Sequence, residues 1–209
     1  EFLRFNWNAA IAQDPFNDNA LYFGSQYLHH SSDRGENWKI ISPDLTTNDP
    51  DKQKSLESGG LTYDATQAEN YTTIISIGPS PVKEGVVWVG TDDGNLQLTQ
   101  DGGKTWTNLS DRLPNFPKNA WIPQIRPSTH NEGEVWVVVN NYRQNDWKPY
   151  LYRSRDFGAT WEQLVDEDEV WGHCLSVVQD PVAKNLIFLG TEYGLYVSFD
   201  EGTTWNKWK

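Results

Sequence analysis

Methionine is absent from this chain of 209 residues, cysteine occurs once, and no apolar run approaches the roughly 18 residues that a membrane-crossing helix needs. Basic residues are also scarce. Seventeen Lys and Arg stand against 29 Asp and Glu, a net charge of -12, and a chain without a basic face is repelled by nucleic acid and by anionic membrane surfaces. Neither is expected as a partner, and no membrane insertion is expected. The lone Cys174 lies in the apolar run "HCLSVV", so no intrachain disulfide forms and the thiol reads as buried and inert. The chain begins at Glu1 without an initiator Met, which reads as an excised or processed piece whose targeting signal is out of view. No long helical apolar period occurs anywhere.

What is present is aromatic and turn-rich: 11 Trp, 9 Tyr and 8 Phe with 16 Gly and 11 Pro describe many short strands joined by tight turns. The turns repeat. "SSDRGENW" (Ser31 to Trp38), "TQDGGKTW" (Thr99 to Trp106), "SRDFGATW" (Ser154 to Trp161) and "SFDEGTTW" (Ser198 to Trp205) share the pattern Ser/Thr-x-Asp-x-Gly-x-x-Trp. In such a turn Asp33, Asp101, Asp156 and Asp200 accept backbone N–H groups. Gly35, Gly103, Gly158 and Gly202 take a positive φ, and Trp38, Trp106, Trp161 and Trp205 open the next strand with a large apolar surface. These twelve residues read as structural.

Apolar strands precede every box. "AAIAQDP", "IISIGPSP", "IPQIRPS" and "SVVQDPV" each end at a proline (Pro15, Pro79, Pro127, Pro181) that cannot donate to a ladder. Two further strands lead into each box, and the Trp-led strand follows it. Four strands per repeat is the unit of a β-propeller blade. The chain therefore reads as an all-β segment of four four-stranded antiparallel blades, at about residues 5–42, 71–110, 118–165 and 170–208. A long inter-blade loop over 43–70 reads as the most mobile internal segment, because it carries few apolar anchors.

With these boxes the chain resembles the Asp-box, or bacterial-neuraminidase-repeat, propellers, a group that includes sialidases, xyloglucan-specific endoglucanases, photosystem assembly factors and sortilin-type receptors. The strings "RFNWNAAIAQDP", "LYFGSQYLHHSSDRGENWKIISPDLT", "VGTDDGNLQLTQDGGKTW" and "IFLGTEYGLYVSFDEGTTW" are most similar to the sortilin-like propeller region of large secreted bacterial proteins often labelled glycosyl hydrolase. The resemblance implies the fold and a secreted, periplasmic or cell-surface location, and it carries no catalytic motif onto a residue here. Rings of that group have six to ten blades. Four blades are thus expected to form part of a ring, completed by the remaining blades of a parent chain or by a partner chain, since open ends expose strand edges and apolar faces.

Asp-box turns lie away from the usual ligand face of a propeller, which is built from the loops entering each innermost strand and the loops joining second and third strands. Counting back eight positions from each strand-ending proline gives Trp7, Tyr71, Asn119 and His173, near Trp121. The second-to-third loops add Gln26 and Tyr27, Asp92 and Asp93, the whole of Tyr142 to Trp147 ("YRQNDW", with Arg143 and Asp146), and Glu192 with Tyr193. Of these, Trp7, Tyr71, Tyr142, Arg143, Trp147, His173 and Tyr193 are the candidate ligand-binding residues. Flat aromatic surfaces mixed with polar groups suit a peptide, protein or glycan ligand; Trp7 and Trp121 also suit plain core filling.

A glycosidase needs two carboxyls flanking the scissile bond, and Asp92, Asp93, Asp146 and Glu192 are the candidates by position. A sialidase needs an arginine cluster as well, for which only Arg4, Arg112 and Arg143 are available, and the Phe/Tyr-Arg-Ile-Pro string is missing. His29 and His30 alternate on one strand and cannot chelate together; "TDDG" at Thr91 to Gly94 lacks calcium-loop spacing. No cofactor and no metal are expected. The reading is a binding or scaffolding propeller segment; the alternative is part of a polysaccharide-acting glycoside hydrolase.

Overall fold

The computed structural model describes residues 2–54 and 70–209. Among them, sixteen strands form four antiparallel sheets, each hydrogen-bonded in chain order. The first contains β1 (Ile11–Gln13), β2 (Leu21–Gly24), β3 (Leu28–Ser31) and β4 (Lys39–Ile40); the second contains β5 (Ile74–Pro79), β6 (Val87–Thr91), β7 (Leu96–Thr99) and β8 (Thr107–Asn108). The third contains β9 (Trp121–Pro127), β10 (Val135–Asn141), β11 (Asp146–Ser154) and β12 (Glu162–Gln163); the fourth contains β13 (Cys174–Gln179), β14 (Ile187–Thr191), β15 (Gly194–Ser198) and β16 (Asn206–Lys207). The outermost strand of every sheet has two residues, a short edge that discourages pairing with other chains.

Blade-to-blade packing follows from alternation along the second strand. On β10, Val135, Val137 and Val139 enter the core shared with the second sheet, while Trp136 and Val138 enter the core shared with the fourth. The same period of two sends Val87 and Val89 of β6 toward the first sheet and Trp88 toward the third. Both faces of β6 and β10 are buried, so these strands read as continuous apolar runs. Close approach also requires Gly90 at the end of β6: a Cβ there would lie 2.6 Å from Ile122 Cγ2 and 2.4 Å from Ser76 Oγ.

Every box closes with the same bonds. In the second, Gly103 N donates to Thr99 Oγ1 at 2.9 Å, and Thr105 donates to Asp101 through both its backbone N (2.9 Å) and its Oγ1 (2.6 Å). Asn37, Thr160 and Thr204 do the same for Asp33, Asp156 and Asp200. This donor, the residue before each Trp, is a part of the motif that the glycine and aspartate pattern does not include. Gly103 has φ +91°, and a Cβ on it would come 2.5 Å from the Ile41 carbonyl oxygen. Arg34, Phe157 and Glu201, beside the box glycines, also adopt positive φ. The turn thus imposes a left-handed backbone on two consecutive residues.

Box turns bond to the first-to-second turns of their own sheets: Arg34 N to Asn19 O, Gly102 N to Gly85 O, Phe157 N to Gly133 O and Glu201 N to Asn185 O. Both turn types therefore occupy one end of the molecule. The loops entering the inner strands and the second-to-third loops occupy the other end, where Asp92 N bonds to Thr73 O and Glu192 N to His173 O.

Inner strands touch in the order β1, β5, β9, β13 and surround a cavity of about 460 Å³. The box Trp residues of the last three sheets pack backward onto the preceding sheet. Trp106 Nε1 donates to Ile41 O, Trp161 meets the edge of Trp88 at 6.1 Å, and Trp205 Nε1 donates to Leu164 O. Trp38 has no preceding sheet among the described residues; it rests on Phe23 of its own sheet and is 39% exposed, less buried than the box pattern predicts. Trp208 occupies the position equivalent to Ile41 and Leu164, as its backbone bond to Leu195 shows, and is 63% exposed.

The expectation of a loose loop over 43–70 falls partly on residues 55–69, outside the described residues. The part before it is tied down. Leu45 is buried and its N–H bonds Gln26 O, Asp44 pairs with Arg4 at 2.7 Å, and Thr47 donates twice to Asp93. Polar composition suggests mobility there, but nearly every polar group in Asp44–Thr47 has a fixed partner.

Candidate functional site

The loop face gathers its side chains mainly between the second and fourth sheets. A helical turn at Tyr142–Gln144 joins β10 to β11 and ends on Asn145 in the left-handed region, φ 59°. That turn lays the Arg143 guanidinium against two rings, 3.3 Å from the centroid of Trp121 and 4.4 Å from that of Tyr142. Gln144 Nε2 donates to Lys118 O and Asn119 O, holding the turn to the chain entering β9. Lys52 Nζ donates to Asn119 Oδ1 at 2.8 Å and lies 5.7 Å from the Tyr71 ring. Asp51, Lys52, Tyr71, Asn119, Trp121, Asn141, Arg143 and Gln144 line a cavity of about 320 Å³.

A second group adjoins the first through Tyr142. Its ring lies 4.6 Å from that of His173 and 5.8 Å from that of Trp147, and Trp147 meets His173 nearly edge-on at 5.7 Å. Glu192 Oε2 sits 3.4 Å from His173 Nδ1. Beyond them Trp147, Pro149, Glu167, Val170, Trp171, Gly172, Glu192 and Tyr193 line an open cavity of about 510 Å³. Trp147, Trp171 and Tyr193 are 50%, 59% and 60% exposed there, an unusual grouping for large rings on a protein surface.

The four candidate carboxylates divide by environment. Asp92 and Asp93 are completely buried. Asp92 accepts from Thr73 N, Thr73 Oγ1 and Asn6 Nδ2. Burial, then the like charge of Asp93, outweighs those donors and pushes its pKa up to about 8. Asp93 is consumed by Thr47 and Thr91. Both act as fasteners between the first two sheets. Asp146 accepts from Asn141 Nδ2 and Tyr150 OH, and only Glu192 is open to solvent beside an aromatic cavity.

Of the sequence candidates, the fold brings Tyr71, Asn119, Trp121, Tyr142 and Arg143 into one continuous surface with Trp147, His173, Glu192 and Tyr193. Trp7 is exposed before β1 and lies outside both linings. Gln26 is buried, joining Arg4 N to Phe2 O. The three arginines do not cluster. Arg4 is buried on Asp44 and Thr72 O, and Arg112, expected on this face, instead donates to Gly158 O in the third box, because the two-residue strand β8 leaves the chain at the rim. Lys52 and Trp171 were not among the candidates, and Gln144 was included only as part of the loop Tyr142 to Trp147. Lys52 and Gln144 reach the site from loops without periodic signal, and the only hint of Trp171 was an aromatic next to the inner-strand entry. His29 bonds Ser25 while His30 lies against Tyr22, and no group of three His, Cys, Asp or Glu side chains suited to a metal occurs among the described residues. Cys174 is fully buried, its thiol pushed up to about 12 by desolvation.

A family model described as BNR-Asp box repeat matches residues 151–164, which span the third box. The chain is similar in backbone to an ancestral GH74 enzyme, with a TM-score of 0.69 at 18% identity over 95% of this chain and 23% of that one. It is likewise similar to the GH74 xyloglucanase of Xanthomonas campestris, with a TM-score of 0.66 at 13% identity over 99% of this chain and 31% of that one. The fold is an Asp-box β-propeller. In sequence this propeller segment is 28% identical over 138 residues to the oligoxyloglucan-reducing end-specific xyloglucanase of Emericella nidulans, covering 64% of the segment and 17% of that enzyme. The propeller segment thus spans about a sixth of the length of that relative.

Proposed function

We propose that this segment is a glycan-binding part of a larger extracellular Asp-box propeller, in which the loop face holds a polysaccharide without itself supplying a complete catalytic pair. One observation carries the reading. Tyr142, His173 and Trp147 are in ring contact, Arg143 links Tyr142 to Trp121, and Trp147 shares an open cavity with the exposed Trp171 and Tyr193, which together spread aromatic surface across adjacent blades. Flat apolar surfaces with polar groups at their edges match the two faces and the hydroxyl rim of a pyranose chain. The relatives named xyloglucanases support a polysaccharide over a peptide or protein as ligand. The exposed Trp38 and Trp208 support further blades, or a partner chain, at both ends.

The second reading is a piece of a polysaccharide hydrolase, favoured by those relatives and by the solvent-open Glu192. Binding of xyloglucan oligosaccharides and other β-glucans by calorimetry tests the first reading: Trp147→Ala weakens binding about tenfold or more, as exposed Trp anchors do, with an unchanged unfolding midpoint. Unaltered affinity would remove the aromatic surface from the ligand site. Turnover of β-glucans by the parent protein that is lost on Glu192→Gln would favour the hydrolase.

A further inference from the structure

Resting on the glycan reading, we infer that the cavity between Tyr71, Trp121 and Arg143 is a subsite for an acidic sugar, its Arg143 guanidinium receiving the carboxylate of a uronic acid residue.

Arg143 is the starting point. Among the described residues it makes no ion pair and no hydrogen bond, and its Nε is buried without a partner. It lines a cavity nonetheless. Stacking on Trp121 and Tyr142 holds the guanidinium plane, so its donor fork is pre-set and only the partner is missing. Partial burial lowers its pKa, against a smaller opposing attraction from Asp92, with which it makes no ion pair. A protein of net charge -12 has ample carboxylates for neutralising such a group, yet the nearby ones are engaged elsewhere. Asp51 pairs with Lys54, Asp92 faces Thr73 and Asn6, and Asp93 faces Thr47 and Thr91. Lys52 adds a second positive charge to the lining.

A planar, unpaired, desolvated guanidinium selects a bidentate oxyanion over a neutral hydroxyl. The rest of the lining selects a sugar bearing it. Tyr71 and Trp121 offer ring surface, Asn119, Asn141 and Gln144 place amides around it, and about 320 Å³ accommodates one ring with its carboxylate. β9, which carries Trp121, is an inner edge strand paired with β10 alone, so an acidic peptide that adds to this edge is the competing occupant the test has to separate from the sugar.

The test compares an oligogalacturonate with the same oligosaccharide after carboxyl reduction, by calorimetry at fixed ionic strength, alongside a glutamate hexapeptide. The acidic sugar binds wild type about tenfold tighter or more, and added salt erodes the difference. Arg143→Gln brings the ratio to about one, and Arg143→Lys, which keeps charge but loses the fork, leaves an intermediate ratio; unfolding midpoints establish that both variants fold, and the wild-type salt dependence stands if one does not. Equal binding of both oligosaccharides by wild type overturns the acidic subsite while leaving a glycan face intact. Binding of neither overturns the acidic subsite, whereas the glycan reading itself fails only if xyloglucan oligosaccharides and other β-glucans are not bound either. Arg143-dependent binding of the peptide alone overturns the sugar assignment and gives the cavity to acidic polypeptide.

Discussion

The indole of Trp106 donates to the carbonyl oxygen of Ile41 across 3.2 Å, from the second sheet to the first. That bond is the inter-blade use of the box: the turn closes its own hairpin, and its Trp reaches back to fasten the previous blade. Trp205 repeats it on Leu164, and Trp161 reaches Trp88. Trp38, in the first box, reaches no such partner among the described residues.

A stability difference between equivalent tryptophans follows. Trp106→Ala and Trp161→Ala each lose about 3–5 kcal/mol, as large truncations in cores do, whereas Trp38→Ala loses about 1 kcal/mol in the isolated segment because much of its ring already meets solvent. Urea unfolding measures all three. Equal losses would show that the box Trp acts within its own blade and does not fasten the one before.

Acid should loosen the boxes together. Side-chain and backbone donors from the residue before each Trp, Asn37, Thr105 and Thr204 first among them, hold Asp33, Asp101 and Asp200 near pKa 2, below the ordinary carboxylate value. A depressed folded-state pKa contributes stability above about pH 4 that is lost as pH falls toward about 2. Unfolding midpoints over that range decline, and Thr105→Ala makes the decline shallower, because loss of the Oγ1 donor brings the folded-state pKa of Asp101 closer to its unfolded value. A decline as steep in Thr105→Ala as in the wild type would contradict this account.

Asp92 has the opposite sign. With its pKa raised to about 8, the folded protein keeps a proton that the unfolded chain releases near pH 4, so stability declines as pH rises between those values. Asp92→Asn, uncharged throughout, flattens that limb. A slope unchanged in the variant would mean that Asp92 is already ionised in the fold at neutral pH.

The two ends of the segment are complementary in kind. Trp38 has no preceding blade among the described residues, and Trp208 stands where Ile41 and Leu164 receive the next box Trp. Exposed Ile11, Leu175 and Val178 on the first and last inner strands extend both apolar faces. The isolated segment therefore self-associates with rising concentration, and Trp208→Asp reduces this. Light scattering across a dilution series that shows one unchanging monomer would mean that the end faces need no cover.

The box pattern alone determined the all-β class, the four-strand repeat and the end of the molecule away from the site, because aspartate, glycine and tryptophan at fixed spacing satisfy a single turn locally. Tyr71, Asn119 and His173 were also legible, since counting from a proline transfers a position from one blade to the next. Tertiary structure decided the rest. Asp92 and Asp93 look like an exposed acidic pair in "TDDG", and only the arrival of Thr47, Thr73 and Asn6 from distant segments turns them into buried fasteners. Arg112 and Arg143 carry the same charge on similar loops, yet one meets a box carbonyl and the other is left unpaired between Trp121 and Tyr142. Which partner a long side chain finds depends on how neighbouring blades stack, and that is a contact between residues far apart in the chain.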